Sequence, residues 1–165
     1  MALAATHVLV TIVILDIFRH YFFGLKKFPR YLLIIGGIAG LAPDLDLPAG
    51  WFASWITGNH VYFHGLFTHT VLWPLVFLIV GGILHYRKNL QWAKIFYVIS
   101  FGWFIHLPLD CIHTGYSDFV WPLAINTKSW CPQFDMSIYK NGIDAVILII
   151  WLIHEEVHKK IRDYI

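Results

Sequence analysis

Charged side chains are scarce in this chain. Asp, Glu, Lys and Arg make up 13% of its 165 residues, about half the roughly 25% typical of a soluble domain. That deficit excludes an ordinary water-soluble globule, a highly charged disordered chain and a nucleic-acid binder with a basic face. Cysteine is nearly absent. Cys111 and Cys131 are the only two, too few for a disulfide scaffold and without zinc-finger spacing. No internal repeat, low-complexity tract or second domain is visible, so residues 1–165 read as a single membrane-embedded domain. The first apolar run lacks a basic leader, so it reads as a retained helix rather than a cleaved signal peptide.

What is abundant is apolar surface. Hydrophobic residues make up 58% of the chain and aromatics 18%, with eight Trp, and the mean hydropathy is +0.63. Five apolar stretches stand out: Ala2–Phe23, Tyr31–Pro43, Phe67–Tyr86, Trp92–Leu109 and Ile143–Ile153. A membrane-crossing helix needs about 20 residues, which the first, third and fourth supply. The second has 13 residues and would cover about 20 Å of an approximately 30 Å hydrocarbon core. The fifth is also short. The expectation is an all-α, polytopic membrane bundle of about five helices.

Alternating spans sort the basic residues. Arg19, Lys26, Lys27, Arg30, Arg87, Lys88, Lys94, Lys159, Lys160 and Arg162 fall on one side, and only Lys128 and Lys140 on the other. Cytoplasmic loops are rich in Lys and Arg, so the N-terminus is expected outside and the C-terminus in the cytoplasm of a cell-membrane protein. Residues 45–66 and 111–142 would then be extracytoplasmic. Their aromatics, among them Trp51, Phe52, Trp55 and Trp130, suit the headgroup layer, either as plain anchors or as a rim that grips a lipid.

Histidine is unusually common, ten residues against ten Asp plus Glu. In this topology His7, Asp44 and Asp46, His64 and His69, and His106 and Asp110 all reach the outer end. Ionisable groups near hydrocarbon are costly and need partners, and here metal ions could be shared partners. His106 and Asp110 are spaced i, i+4 and share a helix face, with Pro108 loosening the turn between them. His64 and His69 do not fit one face, so one is expected in the incoming loop and the other in the first helical turn, with Thr68 as N-cap. Mixed His and Asp donors suit Zn, Fe or Mn. At the basic end, His20 and Arg19 can pair with Asp16. His154 and His158 are spaced as a metal pair could be, but the charges around them favour a solvated helix end.

Four motifs in order resemble one family: THVL around His7, PDLD at Pro43–Asp46, HGLFTHT at His64–Thr70, and HxxxD at His106–Asp110 followed by Trp121-Pro122. They are similar to the YdjM-like family, whose members are called LexA-regulated, membrane-bound, metal-dependent hydrolases. That family in turn resembles zinc-dependent phospholipase C, an α-helical enzyme with clustered zinc ions. The resemblance implies one metal at His64, His106, Asp44 and Asp110, a second begun by His7 and Asp110, and Asp110 as the bridge. The chain departs from the family in having Gly65 where an arginine often follows the first histidine. It also carries His113, either an added ligand or a spacer.

The function expected from these residues is phosphoester hydrolysis by two or more divalent transition metals, most naturally Zn, with a phospholipid or other lipid phosphate as substrate. Asp110 would act at the reacting centre, and Asp46 could be a ligand or the general base. The main alternative is a membrane protein that binds or transports metal without hydrolysing anything. A haem protein would need facing histidines without the aspartates. Cys111 and Cys131 could pair in the outer loop or remain two buried thiols.

Overall fold

The computed structural model describes residues 4–62, 64–65, 67–114, 119–120, 123, 130–131 and 142–157, apart from the side chains of residues 113 and 114. No strand occurs among them. The elements are α1 (Ala4–Phe18), a π turn (Arg19–Phe23), α2 (Tyr31–Leu41), a 3-10 turn (Ala42–Leu45), α3 (Asp46–Thr57), a 3-10 turn (Phe67–His69), α4 (Leu72–Tyr86), α5 (Leu90–Thr114) and α6 (Ile143–Val157). Three helical runs are long and apolar enough to cross a membrane: Ala4–Phe23, Tyr31–Thr57 and Leu90–Ile112.

Two elements differ from the sequence expectation. The second run does not stop at Pro43 but continues for 27 residues. Pro43 lies in the first turn of the 3-10 segment, where a missing N–H costs little, so helix resumes at Asp46. It ends at Gly58, which takes a left-handed φ of 67° and donates its amide to Ser54, a glycine stop that other residues adopt only with strain. The stretch from Trp51 is thus helical through Thr57, not a loop. Conversely, α4 is only 15 residues, about 22 Å long, because Phe67–His69 tightens into a separate turn. Thr68 is not its N-cap. That position is Val71, which makes no side-chain cap.

Close packing is built on glycine. A Cβ on Gly102 of α5 would lie 2.5 Å from the Gly36 carbonyl oxygen and 2.9 Å from the Gly40 nitrogen of α2. A Cβ on Gly40 would lie 2.6 Å from Thr11 Oγ1 and 3.0 Å from the His7 carbonyl oxygen of α1. Between helices in lipid, where apolar side chains gain nothing by leaving the solvent, such small-residue contacts carry the association. α5 therefore packs on α2 and α4, and α2 on α1. Leu15, Phe28, Leu32, Leu33 and Val98 form the buried apolar cluster.

α6 packs against α1 and runs parallel to it. Thr6 donates to Asp144 at one end (2.5 Å), and Tyr21 meets His154 at the other. Outward faces are apolar and exposed, including Ile34, Ile38, Ile79 and Ile150, a pattern that suits lipid as solvent.

Candidate metal centre

The chain order brings one end of each helix to the same place. His7 opens α1, Asp44 and Asp46 sit where α2 passes into α3, His64 and His69 precede α4, and His106 and Asp110 lie on α5. All seven sequence-selected residues converge there. His7, His69 and His106 are at most 1% exposed, and Asp110 is 2% exposed. α5 continues past Pro108, so the i, i+4 pair stays on one helical face, with His106 Nε2 3.2 Å from Asp110 Oδ2.

Donor atoms alternate around a small space. His69 Nε2 lies 3.6 Å from Asp44 Oδ1 and 3.3 Å from Asp110 Oδ2. His106 Nε2 lies 3.6 Å from Asp44 Oδ1. These separations are long for hydrogen bonds. They match neighbouring ligands on one tetrahedral ion, which bonds of about 2.1 Å set about 3.4 Å apart. On the far side, His7 Nε2 lies 3.4 Å from Asp110 Oδ1, and the His7 and His106 rings stack at 3.9 Å.

The donors fall into two groups, each with ligand atoms within 4.8 Å of one another: Asp44, His64, His69 and Asp110, and His7, His106 and Asp110. Asp110 belongs to both, as a bridge would. The division differs from the one the resemblance implied, since His69 joins the first group and His106 stands with His7. His106 Nε2 also lies 3.6 Å from Asp44 Oδ1, so this histidine borders both groups.

The surrounding hydrogen bonds prepare the histidines. His106 Nδ1 meets the Gly40 carbonyl at 2.8 Å, so Nδ1 is the donor and Nε2 carries the lone pair. Nε2 of His106 and both ring nitrogens of His7 are buried without a hydrogen-bond partner, a cost that a bound cation removes. Asp46 stands outside both groups. It accepts from His64 Nδ1 (3.0 Å), the Gly65 amide (3.1 Å) and the Thr68 hydroxyl (2.7 Å), and its Oδ2 is 3.3 Å from His69 Nδ1. A carboxylate placed in this way would fix the orientation of rings that ligate a metal. Thr68, read from the sequence as a helix cap, braces Asp46 instead.

Histidines are the charged partners of Asp44 and Asp46 among the described residues. Burial would lower the pKa of His69, in the turn before α4, but the neighbouring carboxylates of Asp110, Asp44 and Asp46 outweigh burial and push it up to about 10. Three carboxylates around one imidazole make this spot favourable for positive charge.

A half-open cavity of about 370 Å³ adjoins the cluster, lined by Asp46 and His64 on one side and by Gly50, Trp51, Ser54 and Tyr62 on the other. Ser54 pins the returning chain by accepting from the Val61 amide at 2.8 Å. The outward face of α3 presents Trp51, Phe52, Trp55 and Ile56, each more than 60% exposed.

Next to Asp110, Cys111 is bonded to Cys131 across 20 residues, the pairing the sequence left open. His113 lies outside the residues whose side chains are described.

At the other end of the bundle, Arg19 Nη1 (3.2 Å) and His20 Nδ1 (3.4 Å) pair with Asp16 as the spacing predicts. The solvated helix end expected around His154 is not what forms. Glu155 is 1% exposed and faces α1. His158 lies outside the described residues. The missed signal was the i, i+4 spacing of Trp151 and Glu155, which puts an acid on the same face as an aromatic anchor.

The model of the YdjM inner membrane protein family matches residues 1–162. No curated protein and no solved structure matches the chain.

Proposed function

The chain belongs to the YdjM inner membrane protein family, and from that premise we propose that it is a membrane-bound, metal-dependent hydrolase cleaving a lipid phosphoester. The observation that carries this reading is the buried cluster of four histidines and three aspartates in which Asp110 is shared by two donor groups. Divalent ions held there, with Zn the best match to the N and O donors and Fe or Mn the alternatives, would lower the pKa of a bound water toward about 7 and offset phosphate charge.

The chain's residues divide the work. Asp44, His64, His69 and Asp110 hold one ion, and His7 and His106 share Asp110 for another. Asp46 keeps His64 and His69 in the ligating tautomer, and Gly40 does the same for His106. Asp46 also borders the cavity, close enough to the substrate space to take part in orienting it. That cavity falls in the usual range for ligand pockets, about 300–1,000 Å³. Beside it, the exposed Trp and Phe of α3 suit a headgroup layer, so a phosphate could enter from the side with its acyl tails left in hydrocarbon.

The cluster is read as facing the extracytoplasmic side. Lys27, Arg30, Arg87, Lys88 and Lys94 all lie at the opposite end of the bundle, which favours that end as cytoplasmic. The Cys111–Cys131 bond beside the cluster suits an oxidising compartment.

The test is turnover by the purified, Zn-loaded protein in bilayers, using long-chain and short-chain phosphoesters with one headgroup. Each buried CH₂ contributes about 0.8 kcal/mol, so a few carbons raise kcat/KM at least about tenfold for the embedded substrate. Asp110→Asn removes the metal of this centre and, with it, turnover. Equal efficiency on both substrates would remove lateral lipid entry. Full metal content with no turnover of any phosphoester would leave a metal-binding membrane protein instead.

A further inference from the structure

A second group of metal-type donors lies at the far end of α1 from the first. Asp16 and His20 from α1 and its π turn, and His154 and Glu155 from α6, place one ligand atom each within 4.8 Å of one another. His20 Nδ1 is 3.4 Å from Asp16 Oδ2 and 4.0 Å from Glu155 Oε1, and His154 Nδ1 is 3.7 Å from Glu155 Oε1. As in the first cluster, the spacing is that of neighbouring ligands on one ion rather than of direct hydrogen bonds.

Burial and charge make the case stronger than a surface cluster would. Asp16 is 0% and Glu155 1% exposed, within helices whose other faces are apolar. Among the described residues Arg19 is the guanidinium paired with Asp16, and it also donates through Nε at 3.0 Å to the Phe28 carbonyl. Trp151 Nε1 donates to Asp16 Oδ2 at 3.3 Å and Tyr21 meets His154 Nε2 at 3.4 Å, so a second layer of hydrogen bonds surrounds both a carboxylate and a histidine, as around ligands. The backbone is adapted as well. Arg19–Phe23 is a π turn, closed by the Gly24 amide on the Arg19 carbonyl at 3.0 Å. Such turns re-aim side chains and recur at functional sites.

We propose that Asp16, His20, His154 and Glu155 form a structural site for a divalent transition metal that clamps α6 to α1. Four protein donors close a tetrahedral shell and leave no position for substrate, which is the mark of a structural rather than a catalytic site. α6 has need of such a clamp. Glu155 is its one buried residue among those described, and lipid gives its apolar faces no reason to prefer α1.

Metal analysis of the full-length protein, purified and loaded with Zn, tests this independently of the hydrolase reading. The Asp110→Asn chain retains about one ion, and that ion is lost in Asp110→Asn/Glu155→Gln and in Asp110→Asn/His154→Gln. His154 is at the edge of the cluster, so its substitution leaves the helix content by circular dichroism unchanged. Glu155→Gln alone keeps the metal of the other end, which shows the bundle is still folded. An Asp110→Asn chain with no ion, or a remaining ion indifferent to both Glu155→Gln and His154→Gln, overturns the proposal. If the wild type holds one ion that ignores Asp110→Asn but is lost in Glu155→Gln, this site stands and the hydrolase centre falls.

Discussion

Gly102→Ala should damage a metal centre that Gly102 does not touch. The added Cβ would lie 2.5 Å from the Gly36 carbonyl oxygen, whereas ordinary contact begins at 3.4 Å. Both nearest atoms are α2 backbone and cannot rotate away, so α5 must move from α2 by up to about 0.9 Å, the difference of those two distances. The bond from His106 Nδ1 to the Gly40 carbonyl is 2.8 Å, and if the shift is transmitted in full it opens to about 3.7 Å, beyond hydrogen-bonding range. Overpacking of this kind costs about 1–3 kcal/mol. Losing a partner that orients a ligating histidine costs about 10–100-fold in metal affinity. Gly82→Ala is the control, because its Cβ meets nothing within 4 Å. Metal titration and thermal unfolding of both variants in the same detergent decide the matter. Gly102→Ala should bind metal at least about tenfold more weakly with a lower Tm, and Gly82→Ala should match wild type. Equal affinity and Tm for the two variants would refute the idea that backbone contact between α2 and α5 positions His106.

Three further outcomes are expected. Asp46→Asn should weaken metal binding about 10–100-fold while leaving the saturating stoichiometry intact, since Asp46 orients His64 and His69 rather than ligating; a lost ion at saturating metal would make it a ligand. A thiol placed at Asn59 should react only with impermeant reagent on the extracytoplasmic side and one at Lys88 only on the cytoplasmic side, and the reverse pattern would turn the centre toward the cytoplasm. Alkylation without reductant should leave Cys111 and Cys131 unmodified, and reduction should lower the Tm, because opening a loop of 20 residues forfeits about 3 kcal/mol in the chain-entropy model; two alkylated cysteines would contradict the bond.

The sequence by itself determined the class of fold and the members of the first cluster. Scarce charge and long apolar runs leave an all-helical membrane bundle as the solution, since helices satisfy their own backbone in lipid. Ionisable residues stood out against that background at the same ends of successive spans, which is why His7, Asp44, Asp46, His64, His69, His106 and Asp110 could all be picked from one chain.

Tertiary structure decided how those residues divide. Periodicity assigns a residue to a face and an end but says nothing of which nitrogen looks inward. That Asp46 backs His64 and His69 while Asp44 and Asp110 face them follows from the 3-10 turn at Pro43, which rotates two carboxylates only two residues apart into different directions. The length of α3 was hidden for the same reason, because Pro43 reads as a stop unless its turn is known to restart a helix. The cluster at Asp16 was hidden most deeply. Glu155 looks solvated beside Glu156, Lys159 and Lys160, and only the parallel seat of α6 on α1 carries its carboxylate into the bundle, where burial turns an ordinary polar helix end into a set of donors.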